Sequence, residues 1–495
     1  MTIDTLLRQA VVHHQQGEFA QAEALYAQVL RHDPDNFDAL HLSGVSARQR
    51  GDAAQALDLI GRAIALDPSR AIAHCNFGAA LQDAGRDADA LASYEHALRL
   101  QPDYPMALCN RGNALRRLGR LDAAIDSYTR ALALSPRYPE ALCHRALALQ
   151  QQGRHDAALD DFGAALAIRS GYVDAIHGAA VSLLALGEAS EALQGYVRVL
   201  QLQPDHVDAW CGRAGILLRD GQFDAAIDDY RNALAVRPTS ARARLGLANA
   251  LRTAGRHDEA IAAYRQAKDD GADSATVDYL LAALGAGKAP DASPPDYVAA
   301  LFDQYAPRFD RHLVGELAYR TPQLLAQALA RHMPAADKDV LDLGCGTGLC
   351  GPLLRPFARR LEGVDLSPAM LERAGAVGVY DALACADILR FLGDDRRQWD
   401  VLAAADVLVY LGDLAPLFAA ARGALRGGGL FAFSVEALEA GTYALRPSGR
   451  YAHAAPYLEA LAREHGFALR ELAPCTLRRD SGGDVAGLLV LLARA

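Results

Sequence analysis

The stretch Val340–Gly351, "VLDLGCGTGLCG", has glycines at 344, 346 and 348 directly after an apolar run. This pattern predicts a buried strand that ends in a tight loop before a helix. Glycines in such a loop let the backbone approach a bound nucleotide closely. From residue 340 to the C-terminus, seven short apolar runs alternate with helical segments, which predicts a mostly parallel sheet covered by helices on both faces.

Acidic residues stand at the ends of three successive predicted strands. Asp342 precedes the first glycine by two residues, Asp365 ends the run "LEGVD", and Asp387 follows the run "ACA". The dinucleotide fingerprint G-x-G-x-x-G is not matched, because Leu349 stands where the third glycine would fall. The order D-x-G-x-G-x-G followed by two strand-end acids resembles the class I S-adenosylmethionine-dependent methyltransferases over about residues 297–495.

The resemblance implies a seven-stranded, Rossmann-like α/β domain that binds S-adenosylmethionine. It implies that Asp342 supports the methionine-amino end of the cofactor and that the backbone of Gly344, Gly346 and Gly348 lies close to it. The cofactor has a sulfonium and an amino group but no phosphate, which suits a site lined by acids.

The second and third acids are implied to hold the nucleoside. Asp365 would accept both ribose hydroxyls and Asp387 the adenine amino group, while Leu366 and Ile388 would cover the two faces of the ring. Alternatively, Asp365 caps the helix that opens at "SPAML", a role that also suits Ser367.

The segment "YVAALFDQYAPRFDRHL", residues 297–313, resembles the N-terminal helical lid of the same enzymes. Tyr305 and Phe309 are four residues apart and would share one helical face. They could close over the sulfonium by cation–π contact. The alternative is plain packing of an amphipathic helix.

The N-terminal part repeats every 34 residues. In each unit a glycine is followed five residues later by alanine, nine residues later by a large side chain and, in most units, seventeen residues later by proline. The glycine ends one helix, the alanine lets a second helix approach, and the large residue fills the gap. The recurring glycines are Gly17, Gly51, Gly85, Gly119, Gly153, Gly187, Gly221 and Gly255.

This period resembles the tetratricopeptide repeat, with eight units in residues 1–274. A capping helix is predicted in 275–286, a proline-rich linker in 287–296 and the methyltransferase domain in 297–495. The resemblance implies a concave surface that binds a peptide or a partner protein. Asn76, Asn110 and Asn113 would line this groove and hydrogen-bond a peptide backbone. Alternatively, they are ordinary polar residues on a solvated helix face.

Four cysteines also follow the period, at 75, 109, 143 and 211. Equivalent helices lie roughly 10 Å apart, whereas zinc-bound thiolates lie about 2.3 Å from one ion. We therefore interpret these cysteines as small packing residues and predict no metal site.

The segment "EAGTYALRPSGRYAHAAPYL", after the fifth predicted strand, contains the candidate acceptor residues. Arg446 and Arg450 could hold a carboxylate or phosphate, and His453 or Tyr451 could act as a base. The alternative is a solvated loop with ordinary charges. After the fourth strand, "AAADVLVYLGD" lacks the N-P-P-[YF] signature, which disfavours the DNA-adenine and glutamine types of methyltransferase.

Composition and charge disfavour several classes of binding partner and location. A net charge of -10 disfavours nucleic-acid binding, and no apolar stretch is long enough to span a membrane. Eight cysteines without a short framework spacing, together with the lack of a signal-peptide pattern, predict a cytoplasmic protein with reduced thiols. Abundant arginine and rare lysine suggest codon bias in a GC-rich, bacterial genome.

The whole arrangement resembles a group of predicted bacterial methyltransferases that carry tetratricopeptide repeats. The leading hypothesis is a methyltransferase whose repeats recruit a protein or peptide acceptor. The alternatives are a small-molecule methyltransferase whose repeats serve assembly, and a scaffold with a regulatory cofactor-binding domain.

Overall fold

Residues 2–306, 309–333, 336–395, 397–480 and 483–495 are described by a computed structural model of the chain. The structure divides into two compact units, Met1–Gly212 and Arg213–Ala495. The division falls within a helix, and each unit is described by itself below.

The first unit is built from helices joined by short turns. Their bounds are α1 (Ile3–Gln15), α2 (Phe19–His32), α3 (Phe37–Gln49), α4 (Ala53–Leu66), α5 (Ala71–Asp83), α6 (Asp87–Leu100), α7 (Pro105–Arg117), α8 (Leu121–Leu134), α9 (Pro139–Gln151), α10 (His155–Ile168), α11 (Val173–Ala185), α12 (Ala189–Leu202) and the first part of α13 (Val207–Arg219).

The periodic residues of the first unit have the roles that the sequence predicts. Gly85 follows α5 with φ 74°, a left-handed conformation that lets the chain turn into α6. Ala90 and Tyr94 on α6 are fully buried. A Cβ added at Gly78 on α5 would lie 2.7 Å from the Tyr94 ring, so glycine is needed for the aromatic side chain to pack there. Packing between helices therefore fixes the 34-residue period.

The second unit begins with the last repeat helices. These are the end of α13, α14 (Phe223–Val236), α15 (Ala241–Thr253), α16 (His257–Asp269) and α17 (Ser274–Ala283). Helix α17 lies where the sequence predicts a capping helix.

The rest of the second unit is an α/β domain. Its helices are α18 (Pro295–Tyr305), α19 (Thr321–His332), α20 (Gly351–Leu354), α21 (Pro368–Val377), α22 (Ile388–Asp394), α23 (Ala415–Ala424) and α24 (Ala455–Glu464), with a π-helical turn at Arg311–Glu316. Its strands are β1 (Lys338–Leu343), β2 (Ala358–Asp365), β3 (Ala382–Cys385), β4 (Trp399–Ala404), β5 (Leu425–Leu438), β6 (Tyr443–Leu445), β7 (Tyr451–Ala454), β8 (Phe467–Asp480) and β9 (Gly483–Arg494).

Within the described residues these strands form one sheet of nine strands in the order β3-β2-β1-β4-β5-β7-β6, with β9 paired to β5 and β8 paired to β9. The pairs β1–β2, β1–β4, β2–β3, β4–β5 and β5–β7 are parallel. Strand β9 runs antiparallel to β5 and β8. The carboxyl ends of β1–β4 therefore meet at one edge of the sheet.

Helices cover both faces of the sheet. On β1, Val340 packs in a cluster with Leu325 and Leu329 of α19. Its neighbour Leu341 packs in a second cluster with Phe418 of α23. Successive residues of a strand point to opposite faces, so the two clusters are the two helical layers.

The architecture predicted from the sequence, a helical repeat array followed by a Rossmann-like α/β domain, is confirmed. All seven predicted strands are present, and β6 and β7 extend the sheet beyond them. These two strands lie in the segment interpreted as an acceptor loop, and they are only three and four residues long. Their short sequences, Tyr-Ala-Leu and Tyr-Ala-His-Ala, contain no apolar run long enough to predict a strand.

Residues 287–296, predicted as a linker, are attached to the α/β domain. Ala292 pairs with Leu411 in an isolated bridge, and the Ser293 N–H donates to the Tyr410 carbonyl at 2.8 Å. Buried Tyr279 on α17 donates its hydroxyl to the Gly449 carbonyl at 2.6 Å and accepts from Ser293 Oγ at 2.7 Å. The last repeat helices and the α/β domain thus share hydrogen bonds.

Candidate functional site

The carboxyl ends of the central strands open on a cavity of about 1230 Å³. Ligands of doubly wound sheets bind at this edge, where the strand order reverses; here that point lies between β1 and β4. The strand-end residues that line the cavity are Gly344, Gly346, Asp365, Leu366, Asp387 and Ile388. The structure therefore brings these sequence-predicted residues together around one space.

The loop after β1 needs glycine for two different reasons. Gly344, Gly346 and Gly348 have φ values of 65°, 54° and 90°, which other residues rarely adopt. A Cβ added at Gly344 would lie 2.3 Å from Val407 Cγ2, so that position is closed by packing. A Cβ added at Gly346 would meet Phe309 at 3.9 Å and would enter the cavity. Gly346 therefore leaves its backbone open to a ligand.

Asp365, at the end of β2, is held by two backbone groups. Its Oδ2 accepts from the Gly346 N–H and its Oδ1 from the Ser367 N–H, both at 2.9 Å. Burial raises the pKa of Asp365, although these N–H groups oppose the shift. Ser367 Oγ accepts from the Met370 N–H and caps α21, so the capping role belongs to Ser367. Each Asp365 oxygen keeps a lone pair for a ligand hydroxyl.

Asp387 caps the next helix and also faces the cavity. Its Oδ1 accepts from the N–H groups of Leu389 and Arg390 at 2.9 and 3.0 Å at the start of α22. This cap fixes the carboxyl group beside Ile388, which lines the same space as Leu366. The arrangement presents two apolar side chains and an acceptor, the groups that a purine ring requires.

Asp342 lies behind the glycine loop and is 1% exposed. Tyr380 donates its hydroxyl to Asp342 Oδ2 at 2.6 Å, and Oδ1 has no hydrogen-bond partner among the described residues. Burial raises the pKa of Asp342 to about 7; the Tyr380 hydrogen bond opposes this and the Asp365 charge adds to it. Asp342 does not border the cavity, so the structure separates it from the other two acids.

The segment predicted as a lid hydrogen-bonds to the loops that follow β1 and β2. Asp303 on α18 accepts from Ser367 Oγ at 2.5 Å, and Asp310 accepts from Thr347 Oγ1. Tyr305 and Phe309 line the cavity with their rings 5.1 Å apart, edge to face. Helix α18 ends at Tyr305, and residues 307–308 of the predicted lid lie outside the described residues, so the shared helical face stays a prediction.

An arginine cluster borders the cavity on the side of β5 and β8. Arg478 is 3% exposed and donates to Asp406 Oδ2 at 2.7 Å and to Glu436 Oε1 at 2.5 Å. Arg450 and Arg446 have Nη1 atoms 3.9 and 3.5 Å from Glu436. These five residues are called the arginine cluster below. Arg450, Arg478 and Asp406 line the cavity, and Arg446 does not.

Sequence reasoning missed three members of this cluster. Asp406 follows the fourth strand just as Asp387 follows the third, and this was a usable signal. It has φ 59°, a strained value for a non-glycine residue. Arg478 on β8 and Glu436 on β5 are 42 residues apart in sequence and meet only through the sheet. No local pattern predicts that contact.

The structure places the candidate bases away from the cavity. His453 and Tyr451 are fully buried. His453 Nε2 donates to the Gly412 carbonyl at 3.0 Å, and burial lowers the pKa of His453 to about 4. Tyr451 donates to the Pro290 carbonyl at 2.6 Å. Since neither side chain lines the cavity, this geometry argues against both as a base.

The three asparagines of the first unit contact other side chains. Asn76 Nδ2 lies 2.9 Å from His41 Nε2, and Asn110 Nδ2 lies 3.8 Å from Cys75 Sγ. Asn113 Oδ1 accepts from the Tyr128 hydroxyl at 2.7 Å. These contacts give each asparagine a packing role, while peptide binding stays a prediction. Within the described residues, no three metal-ligating side chains group together.

Family models match both parts of the chain. Models described as "TPR repeat" or "Tetratricopeptide repeat" match residues 7–71, 82–119, 112–153, 149–214 and 216–275. A model described as "Methyltransferase domain" matches residues 313–472. The chain therefore has tetratricopeptide repeats in its N-terminal part and a methyltransferase domain in its C-terminal part, which confirms the resemblance seen in the sequence.

Individual relatives cover parts of the chain. "Methyltransferase-like protein 27" of Homo sapiens is 41% identical over 95 residues, which span 18% of this chain and 38% of the human protein. The APC/C hetero-tetramer Cut9-Hcn1 matches at TM-score 0.46 and 18% identity, over 57% of this chain and 55% of that one. A tetratricopeptide repeat protein from Parabacteroides merdae matches at TM-score 0.41 and 21% identity, over 49% of this chain and 95% of that one.

None of the helices in the described ranges combines the length and the apolar character that a membrane crossing requires.

Proposed function

We propose that the methyltransferase domain uses S-adenosylmethionine and methylates an acceptor that enters the 1230 Å³ cavity. The observation that carries this proposal is Asp365, which two backbone N–H groups hold at the cavity wall beside the open backbone of Gly346. When bound, S-adenosylmethionine supplies the methyl group and leaves as S-adenosylhomocysteine. A carboxylate so placed can accept two ribose hydroxyls in charge-assisted hydrogen bonds.

The neighbouring residues complete a nucleoside site. Leu366 and Ile388 present apolar surface to the adenine, and Asp387 is held by the α22 cap to accept from its amino group. Asp342 is buried behind the glycine loop and does not border the cavity. An ammonium group of the cofactor bound at that loop would act on Asp342 through its charge and favour the ionised carboxylate. Residues of this chain thus fit the ribose hydroxyls, the two faces of the adenine ring and the adenine amino group.

The lid aromatics exclude water from the transfer. Tyr305, Phe309 and Phe302 line the cavity, and the Phe302 and Phe309 rings lie 6.1 Å apart. Catalysis of methyl transfer by orientation needs a dry, closed site. Among the described residues that line the cavity, the ionisable groups include Asp406 in the arginine cluster and Tyr410 beside it.

The lining of the cavity supports a small-molecule acceptor. Helix α18, residues 288–295 and Tyr279 of α17 line the cavity together with the strand ends, so a small acceptor could bind there beside the cofactor. The second candidate is the protein or peptide acceptor predicted from the sequence, which the repeats would recruit. The repeat array favours that candidate, since tetratricopeptide surfaces commonly bind protein segments.

Calorimetric titration of the full chain with S-adenosylhomocysteine tests the proposal. The product should bind with a stoichiometry near one, because the nucleoside contacts do not depend on the methyl group. Titration with NAD and with adenosine diphosphate provides the control, since the site has acids where those ligands carry phosphates. Absence of binding by S-adenosylhomocysteine would remove the basis of the proposal and favour a scaffold.

A further inference from the structure

We propose that the part of the cavity beyond the glycine loop binds a small acceptor with an apolar body and one carboxylate, which Arg450 holds with the support of Arg478. This inference rests on the proposed function, because the acceptor shares the cavity with the cofactor. It goes further by naming the chemical class of the acceptor.

The cavity has room for a second molecule. Ligand pockets usually enclose about 300–1,000 Å³, and this one encloses about 1230 Å³. The cofactor residues lie at its strand-end side. The remaining space extends along α18 to Tyr279 on α17 and to the arginine cluster, which are residues that the cofactor contacts above do not use.

The walls of this second space are mainly apolar. Phe302 stacks edge to face with Tyr410 at 5.6 Å between ring centroids. The other apolar residues that line the space come from α18, from the π-helical turn and the residue after it, and from the segment after β4. They are Val298, Leu301, Leu313, Leu317, Val407 and Leu411. Contact with these walls is favourable for apolar surface because it removes that surface from water. We therefore expect the acceptor to have an apolar body.

The arginine cluster offers two guanidinium groups to the cavity, those of Arg450 and Arg478. The third, of Arg446, lies outside the cavity, where its Nη2 donates to the Ala437 carbonyl at 2.6 Å. A guanidinium group at an apolar cavity wall favours an anionic group on the ligand that shares the cavity.

Arg450 is the member that is available to a ligand. Arg478 already has both carboxylates as hydrogen-bond partners. The side chain of Arg450 hydrogen-bonds with the Tyr410 side chain, and its Nη1 is 3.9 Å from Glu436, beyond hydrogen-bond distance. The side chain lines the cavity and is 31% exposed, which leaves other donors of the guanidinium for a ligand. A guanidinium has five donors and matches a carboxylate with two parallel hydrogen bonds.

The cluster lies next to the cofactor loop. Asp406 precedes Val407, whose methyl groups close off the Cβ position of Gly344. A chain of aromatic rings also connects the two regions. Phe309 lies near Gly346, and its ring centroid is 6.1 Å from that of Phe302. The Phe302 ring in turn packs against Tyr410. A carboxylate on Arg450 would therefore lie in the same cavity as the cofactor.

The cofactor also has a carboxylate, on its methionine end. The test must therefore show whether Arg450 binds the carboxylate of the acceptor or that of the cofactor. The test is calorimetry on the full chain, first with S-adenosylhomocysteine and then, at saturation, with 4-phenylbutanoate or its neutral isostere 4-phenylbutanamide. The variants are Arg450→Gln and Arg450→Lys. Arg446→Gln is the matched control, because Arg446 contacts the same Glu436 from outside the cavity.

We expect the acid to bind about tenfold or more tightly than the amide, which is the scale of a hydrogen bond to a charged group. Arg450→Gln should abolish this preference, Arg450→Lys should keep part of it, and Arg446→Gln should leave it intact. The affinity for S-adenosylhomocysteine should not change in any variant. Thermal unfolding of each variant verifies the fold.

Equal binding of acid and amide by the native chain would overturn the carboxylate assignment alone. A tenfold loss of S-adenosylhomocysteine affinity in Arg450→Gln would also overturn it, since Arg450 would then hold the cofactor's carboxylate. No binding of S-adenosylhomocysteine by the native chain would instead contradict the proposed function.

Discussion

Asp365 is the residue on which cofactor affinity should depend most. Its replacement by alanine removes the acceptor of both ribose hydroxyls, and we expect Asp365→Ala to weaken binding of S-adenosylhomocysteine by about 1.5–3 kcal/mol. Calorimetry measures the change. Glu372→Ala, which removes an exposed acid on α21, is the control and should bind normally. Unchanged affinity in a folded Asp365→Ala variant would leave Asp365 with a structural role only.

Asp342 should make cofactor affinity depend on pH. The carboxyl group has a pKa of about 7 in the ligand-free site, and a bound ammonium group would lower it. Binding below pH 7 must then release a proton, so affinity falls as the pH decreases, about fivefold from pH 7 to pH 6. The dependence should vanish in Asp342→Asn. Constant affinity of the native chain between pH 6 and pH 8 would contradict this role.

His453 should affect stability, although it does not line the cavity. Its pKa is lowered from 6.5 to about 4 in the folded chain, so the unfolded chain binds the proton more readily and stability falls as pH decreases below 6.5. We expect a loss of about 2 kcal/mol from this residue between pH 7.5 and pH 5. His453→Gln keeps a donor for Gly412 and should lose less stability over that range. Denaturant unfolding at the two pH values measures the free energy of unfolding of both chains. An equal loss in the native chain and in His453→Gln would contradict the role given to His453.

At the residue scale, the sequence predicted the strand-end acids and glycines because each is marked by its position after an apolar run. The roles of Arg478 and Glu436 could not be predicted, because a pair 42 residues apart is defined only by the β5–β9–β8 pairing. His453 was predicted as a base from its residue type alone, whereas its burial, which the sequence does not reveal, lowers its pKa and keeps it away from the cavity.

At the scale of elements, α17 is part of the α/β unit rather than a free cap. Tyr279 is 1% exposed, hydrogen-bonds with Gly449 and Ser293, and lies near the rings of Tyr297 and Tyr451. We expect residues 287–495 to unfold at a lower temperature than residues 213–495, because removal of α17 exposes these rings and leaves buried polar groups without partners. Calorimetric scanning of both fragments measures the difference; identical midpoints would show that α17 contributes nothing.

Some helices and strands could be predicted from the sequence and others could not. Repeat helices are predicted well because a period of 34 residues is reinforced in every unit. Strands β1–β5, β8 and β9 each have an apolar run. Strands β6 and β7 depend on pairing with each other and with β5, and this pairing has no signal in so few residues.

At the scale of the whole molecule, the question is what the repeats contribute to turnover. If the acceptor is a small acid, residues 213–495 should transfer the methyl group as fast per active site as the full chain, since every described cavity residue lies in that unit. If the repeats recruit a protein acceptor, the fragment should fall behind at low acceptor concentration. Assays with radiolabelled methyl donor at limiting acceptor compare the two; a slower fragment on small acids would contradict our expectation.

The most direct test of the cofactor assignment is a crystal structure of the full chain with S-adenosylhomocysteine. We predict that both ribose hydroxyls lie within hydrogen-bond distance of Asp365, with the adenine between Leu366 and Ile388 and its amino group at Asp387. The amino group of the methionine end should lie at the glycine loop, with Asp342 behind that loop. A nucleoside bound elsewhere, or a ribose without contact to Asp365, would contradict the account.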